Sequence, residues 1–202
     1  MPKTISELPF IFIIGFNKSA TTSLHAFFQN NGFPSVHWDG GRLGKTMLLN
    51  CCNDKPILAG YDKEFRVFSD MTFRTHRLRF EGNSLFRILD ADYPNSFFIY
   101  NSRNLQDWLR SRALHRGTMD GESPIQLEMR LLKTTNPQKV FDKWRKERKQ
   151  LEKEVREYFS GYSKFIEIDI SDKDLPMKLS RFLGMTLDQS QWQIHNRNPQ
   201  HS

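Results

Sequence analysis

Residues 10–24, FIFIIGFNKSATTSL, constrain this chain more than any other stretch. Residues 10–15 are an unbroken run of β-branched and aromatic side chains closed by Gly15. That is the pattern of a strand covered on both faces, as in a parallel sheet. A helix is expected over residues 20–31, with Leu24, Phe27 and Phe28 as its apolar stripe and Gly32 ending it. The turn between them is polar. A helix amino terminus exposes N–H groups without intrahelical partners and carries a partial positive charge, so it suits an anion. Lys18 adds a full charge, Ser19, Thr21, Thr22 and Ser23 add hydroxyls, and Ala20 is small enough for close approach.

The rest of the chain repeats the alternation. Strands are expected at residues 65–68, 96–101 (SFFIYN) and 165–170 (FIEIDI). Helices are expected at 85–89, 105–114, from Ser123-Pro124 onward, from Asn136-Pro137 to about Phe159, and at 175–183 before Gly184. Ser123, Pro124 and Gln126 read as a capping box with proline in the first turn. Residues 33–43, with His37-Trp38-Asp39-Gly40-Gly41 inside, read as loop. Strand–helix alternation argues an α/β fold in three layers, a mainly parallel sheet flanked by helices. No repeat, linker or composition break appears, so residues 1–202 are expected to form one domain.

Composition narrows the function classes. A hydrophobic share of 38% with 13% aromatics excludes general disorder. No stretch approaches the roughly 20 apolar residues of a membrane span. Lys3 and the apolar run at 8–16 are too short, and lack the cleavage site, for a signal peptide. Thirty Lys and Arg against 23 Asp and Glu give a charge of +7, which favours an anionic partner. Cys51 and Cys52 are adjacent and no Cys/His cluster exists, so neither a disulfide framework nor a structural zinc site is expected. That cysteine usage fits a reducing, cytoplasmic location. Residues 15–23 are not a Walker A loop, and Gly44-Lys45-Thr46 lacks the earlier glycine and the preceding strand.

FIFIIGFNKSATTSLHAFF resembles the 5′-phosphosulfate loop of sulfotransferases, enzymes that use 3′-phosphoadenosine 5′-phosphosulfate (PAPS). The family pattern places Gly where this chain has Ala20, a mild replacement if that residue keeps φ below zero. A second segment, FFIYNSR, resembles the family's strand that ends in arginine, and Ser111 follows Arg103 at the family spacing. A softer likeness covers FIEIDISDKDLPMKLSRFLGM. The resemblance implies the P-loop-like sulfotransferase fold and transfer of a sulfuryl group to a hydroxyl or amine of a small-molecule or carbohydrate acceptor. It implies that Asn17, Lys18, Ser19, Ala20, Thr21, Thr22 and Ser23 hold the 5′-phosphosulfate. Arg103 and Ser111 would hold the 3′-phosphate, and Arg197 would stand in for the family's late phosphate loop. Lys18 would stabilise the leaving group, with no metal needed. Asp70, His37 and, behind them, Asp39 are the candidates for the base, while His25 is expected to face outward or line the site passively. Rival readings are a small P-loop kinase-like enzyme, an inactive nucleotide-binding relative, and a nucleic-acid binder using the basic helix near residues 143–156. No nucleic-acid recognition motif supports the last.

Overall fold

The computed structural model describes residues 4–115 and 122–194, so Arg197 lies outside the described residues. The chain gathers into two compact units, Met1–Ser102 with Gly161–Ser202, and Arg103–Ser160.

The first unit is built on five parallel strands in the order β2-β3-β1-β6-β7. They are β1 (Ile11–Ile13), β2 (Ser35–His37), β3 (Val67–Ser69), β6 (Phe97–Ser102) and β7 (Phe165–Asp169). A short antiparallel hairpin, β4 (Thr72–Arg74) with β5 (Arg79–Glu81), follows β3. The helices of this unit are α1 (Thr21–Asn30), α2 (Arg42–Cys52), α3 (Phe86–Asp92) and α7 (Leu175–Leu183).

Alternation along β1 assigns its two faces. Phe12 lies directly opposite Phe68 on one side and Phe98 on the other. Their rings are 5.8 and 5.2 Å from the Phe12 ring, and Tyr93 at the end of α3 meets it edge-on at 6.0 Å. Ile11 and Ile13 point to the other face, where they join Val67, Ile99, Leu24, Phe27, Phe28, Leu175 and Leu179 in one core cluster. Each such side chain contributes about 1.5–3 kcal/mol by leaving water. Helix α7 ends at Gly184 in a left-handed conformation, as its sequence indicates.

The second unit holds α4 (Leu105–Ala113), α5 (Pro124–Leu131) and α6 (Pro137–Tyr158). The expected capping box at Ser123 and Gln126 is formed. The buried stripe of α6 is Val140, Trp144, Leu151 and Val155, with Arg148 buried among them. Arg148 is held by more than its aliphatic stem. Its guanidinium lies 5.3 Å from the Trp108 ring centre, and the Arg112 guanidinium lies 5.2 and 5.0 Å from Trp108 and Trp144. On α4, Trp108 and Leu109 are buried and Leu105 is exposed.

Two expectations need correction. Residues 33–43 are not all loop, because Ser35–His37 form β2 and Arg42 opens α2. Three residues are too few to show an alternating pattern, and a parallel partner on one side is what makes them a strand. The hairpin β4–β5 was likewise invisible, its strands being three residues each and rich in arginine.

Candidate functional site

The order β2-β3-β1-β6-β7 places a topological switch at β1. The chain leaves β1 toward β2 and β3, while β6 and then β7 lie on its other side. In open α/β sheets the crevice at the carboxyl ends of strands beside such a switch is where ligands bind. The turn 15–20 leaves β1 at this point.

Two buried asparagines pin that turn. Gly15 N–H donates to Asn101 Oδ1 (2.9 Å), and Asn101 Nδ2 donates to the Ser19 carbonyl (2.5 Å). Asn83 Nδ2 donates to the Gly15 carbonyl (2.6 Å) and its Oδ1 accepts from Met71 N–H (3.1 Å). Asn83 is 0% and Asn101 1% exposed, so these bonds act without competition from water. A Cβ on Gly15 would lie 2.2 Å from the Asn101 carbonyl oxygen, which explains glycine there. Sequence reading missed both asparagines as site residues. Asn at the end of a strongly apolar strand run, where Asn is disfavoured, was the available signal for Asn101.

The turn is strained. Lys18 has φ 67° and Ala20 φ 58°, both left-handed. The condition under which Ala20 would be a mild replacement, φ below zero, is therefore not met: this is a glycine-like position occupied by alanine. Ala20 is also the N-cap of α1, and alanine has no side chain with which to cap. Ser19, Thr21 and Ser23 are buried, at 3%, 4% and 1% exposure. The partly exposed residues of the segment are Asn17, Lys18, Ala20 and Thr22.

Thr22 and His25 lie one turn apart on α1, and Ser35 and His37 lie two apart on β2, so each pair shares a face. The two pairs meet. Thr22 Oγ1 is 3.3 Å from His37 Nε2, and Ser35 Oγ is 2.7 Å from His25 Nδ1. The imidazole rings stack with centroids 5.6 Å apart. His25 thus faces the sheet rather than solvent, which sets aside the outward of its two expected positions and leaves that of a residue beside the candidate site. On the other side, register puts His37 opposite Ser69, whose Oγ is 3.0 Å from His37 Nδ1. Burial, and then the nearby Lys18 charge, push His37 down to about 4; burial and His37 push His25 down to about 4. Both rings are neutral at neutral pH.

Asp70 follows β3, with one carboxylate oxygen 4.0 Å from His37 Nε2 and the other accepting from Thr72 Oγ1 (2.9 Å). Its φ of 49° is again left-handed. Asp70 caps no helix, because β4 follows it. Asp39 is committed elsewhere. It accepts from Arg42 (2.6 Å) and from the Tyr61 hydroxyl (2.5 Å), bonds that hold its carboxyl below the usual range. It anchors a turn in which Trp38, Asp39, Gly40 and Gly41 all have positive φ, directly after His37.

Gly44-Lys45-Thr46 lies inside α2. Gly44 packs flush against the hairpin, where a Cβ would meet the Thr72 carbonyl carbon at 2.5 Å, so its glycine serves packing and not phosphate binding.

In the second unit, Arg103 is the first residue after β6, and Asn104 caps α4 by accepting from Gln106 and Asp107 N–H groups. Ser111 is buried on α4. Arg148 Nη2 donates to the Arg103 carbonyl (2.6 Å) while its Nε pairs with Glu152 (2.9 Å). Arg148 therefore fixes the backbone from which Arg103 projects, a role that its place in a charged helix concealed.

Among the described residues, no group of three or more His, Cys, Asp or Glu side chains could hold a metal ion, and no helix is long and apolar enough to cross a membrane. Compared with protein-family models and with curated proteins, the chain matches none.

Proposed function

We propose that this protein transfers a sulfuryl group from PAPS to a hydroxyl or amine acceptor. The observation that carries this reading is the pinned, left-handed turn of residues 15–20, which delivers an uncapped helix terminus and Lys18 beside a neutral His37. Strain of this kind, about 1–2 kcal/mol for each left-handed non-glycine residue, persists where the surroundings over-determine it, and it concentrates at ligand sites. An all-donor terminus with an ammonium group fits an anionic ligand such as the 5′-phosphosulfate.

When bound, PAPS supplies an activated sulfuryl group with a good leaving group. Lys18 would hold the 5′-phosphosulfate and would supply positive charge to the leaving group. His37 takes the acceptor's proton at Nε2, the nitrogen that faces Thr22 and lies 4.0 Å from Asp70. An imidazole held neutral to about pH 4 is available as a base throughout the physiological range. Asp70, fixed by Thr72, stabilises the imidazolium so formed. Arg103 and Ser111 are proposed to hold the 3′-phosphate, with Arg148 bracing Arg103 from behind.

Calorimetric titration with adenosine 3′,5′-bisphosphate tests the reading, with ATP–Mg²⁺ as control. The expected result is binding on the order of micromolar, weakened by about 2–4 kcal/mol in Arg103→Ala. Lys18→Ala should abolish transfer with the fold intact. No bisphosphate binding overturns the reading, and ATP binding in its place supports the kinase-like alternative.

A further inference from the structure

One buried side chain joins the two halves of the proposed site. β1 and β3 pair in parallel register as far as Ile13 and Ser69. Continued past the strand ends, that register sets Gly15 beside Met71. There a side chain takes the place of a backbone pair. Asn83, in the short helical segment Gly82–Leu85, donates from Nδ2 to the Gly15 carbonyl (2.6 Å) and accepts at Oδ1 from the Met71 N–H (3.1 Å). A carboxamide carries a donor and an acceptor side by side, so it can bridge two backbones as a peptide group would. Its orientation follows from its partners, since a carbonyl only accepts and an N–H only donates.

Each bridged residue is gripped a second time. Gly15 N–H donates to Asn101 Oδ1 (2.9 Å), and the Met71 carbonyl accepts from Gly82 N–H (2.8 Å). Gly82 must be glycine for this contact, because a Cβ there would lie 2.5 Å from the Met71 carbonyl oxygen. Asn83 and Met71 are both fully buried, so water does not compete for these bonds. The neighbours of the two bridged residues give the bridge its consequence. Gly15 opens the turn that carries Lys18. Met71 directly follows Asp70, which has a left-handed φ of 49° and a carboxylate 4.0 Å from His37 Nε2. The two Asn101 bonds, by contrast, both end on the Gly15–Ser19 turn.

We infer that Asn83 is a positioning residue for the proposed transfer. It fixes the separation between the anion-binding turn of Lys18 and the proton-accepting pair His37 and Asp70. In-line transfer needs the leaving group and the base at a set distance, and a misplacement of about 1 Å can cost about 100-fold in rate. This catalytic use of the brace rests on the sulfuryl-transfer reading. The coupling of the turn to the Asp70 segment rests on the hydrogen bonds alone.

The Met71 amide signal, followed by NMR, reads that coupling. Two perturbations act on the turn: saturating adenosine 3′,5′-bisphosphate, and Ala20→Gly without any ligand. Each should shift the Met71 signal in protein that has Asn83. Asn83→Leu is close in shape and makes neither bond. In it both responses should be lost while the bisphosphate still binds, and Asn83→Ala replaces it if the leucine variant does not fold. In Asn101→Ala the Met71 response to bisphosphate should persist. A Met71 signal unmoved by either perturbation in protein with Asn83 overturns the inference, with no variant at position 83 required. A response that survives in the Asn83 variants also overturns it, because the effect then travels through space. So does a response lost equally in Asn101→Ala. Failure of the bisphosphate to bind overturns the sulfuryl-transfer reading and the catalytic use of the brace, and the Ala20→Gly arm then decides the coupling by itself.

Discussion

Acidification from pH 7 to 5 should destabilise this fold through His25 and His37. Their folded-state values lie near 4, against an ordinary value of 6.5. Between those limits the unfolded chain binds protons that the folded chain refuses. Stability must then fall as pH falls through 6.5, and the loss is complete below about pH 4. For one imidazole with these two values, the loss between pH 7 and 5 comes to about 2 kcal/mol. The His37 side chain is 19% exposed, and His25 is only partly buried and stacked against it at 5.6 Å. Partial solvation and uptake of protons as a pair bring the joint loss to about 2–3 kcal/mol. Urea unfolding at the two pH values reads this directly. With a slope of about 2–3 kcal/mol per molar, the midpoint should drop by about 1 M on acidification. The double replacement His25→Asn, His37→Asn should flatten the dependence. A wild-type midpoint that moves by less than about 0.3 M, or a double variant that moves as far as the wild type, refutes the assignment of two buried neutral imidazoles. The same electrostatics predicts that Lys18→Met raises the His37 pKa, which imidazole proton shifts would follow by NMR.

Three substitutions test the turn and its supports. Ala20→Gly removes a left-handed alanine. The relief of about 1–2 kcal/mol, less the extra chain entropy of glycine, should raise stability by about 0.5–1 kcal/mol, and a lowered melting temperature would contradict the strain at this position. Asn101→Ala leaves the Gly15 N–H and the Ser19 carbonyl buried without these partners. It should cost about 2–5 kcal/mol in urea unfolding, and a loss below about 1 kcal/mol would show that the turn holds without the brace. Gly44→Ala places a methyl group 2.5 Å from the Thr72 backbone. Overpacking of about 1–3 kcal/mol is expected, and a neutral effect in thermal denaturation would mean that α2 and the hairpin can part freely.

The strong elements were legible because their signals are local. The β1 run, the SFFIYN strand, the Ser123 capping box and the Gly184 stop each specify an element within a few residues, and each stands within two residues of where the pattern puts it. β2, β4 and β5 were not legible. Each is three residues long, and their pairing partners, β3 in one case and each other in the second, are what define them. The inward face of His25 had the same cause, since it depends on β2 lying beside α1.

The candidate site divides along the same line. Sequence singled out Lys18, Thr22, His37 and Asp70 because they stand in a strand-to-helix turn or at strand ends, and the structure brings Thr22, His37 and Asp70 together. What it lacked was the backbone conformation, and that changes the meaning of the residues. An alanine in place of glycine looked mild on the premise of negative φ, yet at φ 58° it is a standing cost. Three hydroxyls looked like ligands, yet Ser19, Thr21 and Ser23 are inside. Under the proposed function, the anion site would rest less on hydroxyl count than on the turn that Asn83 and Asn101 hold. A fold that merely needed to connect β1 to α1 could relax both left-handed residues. Retaining them against a cost of about 1–2 kcal/mol each is what the proposed anion site would require of this turn.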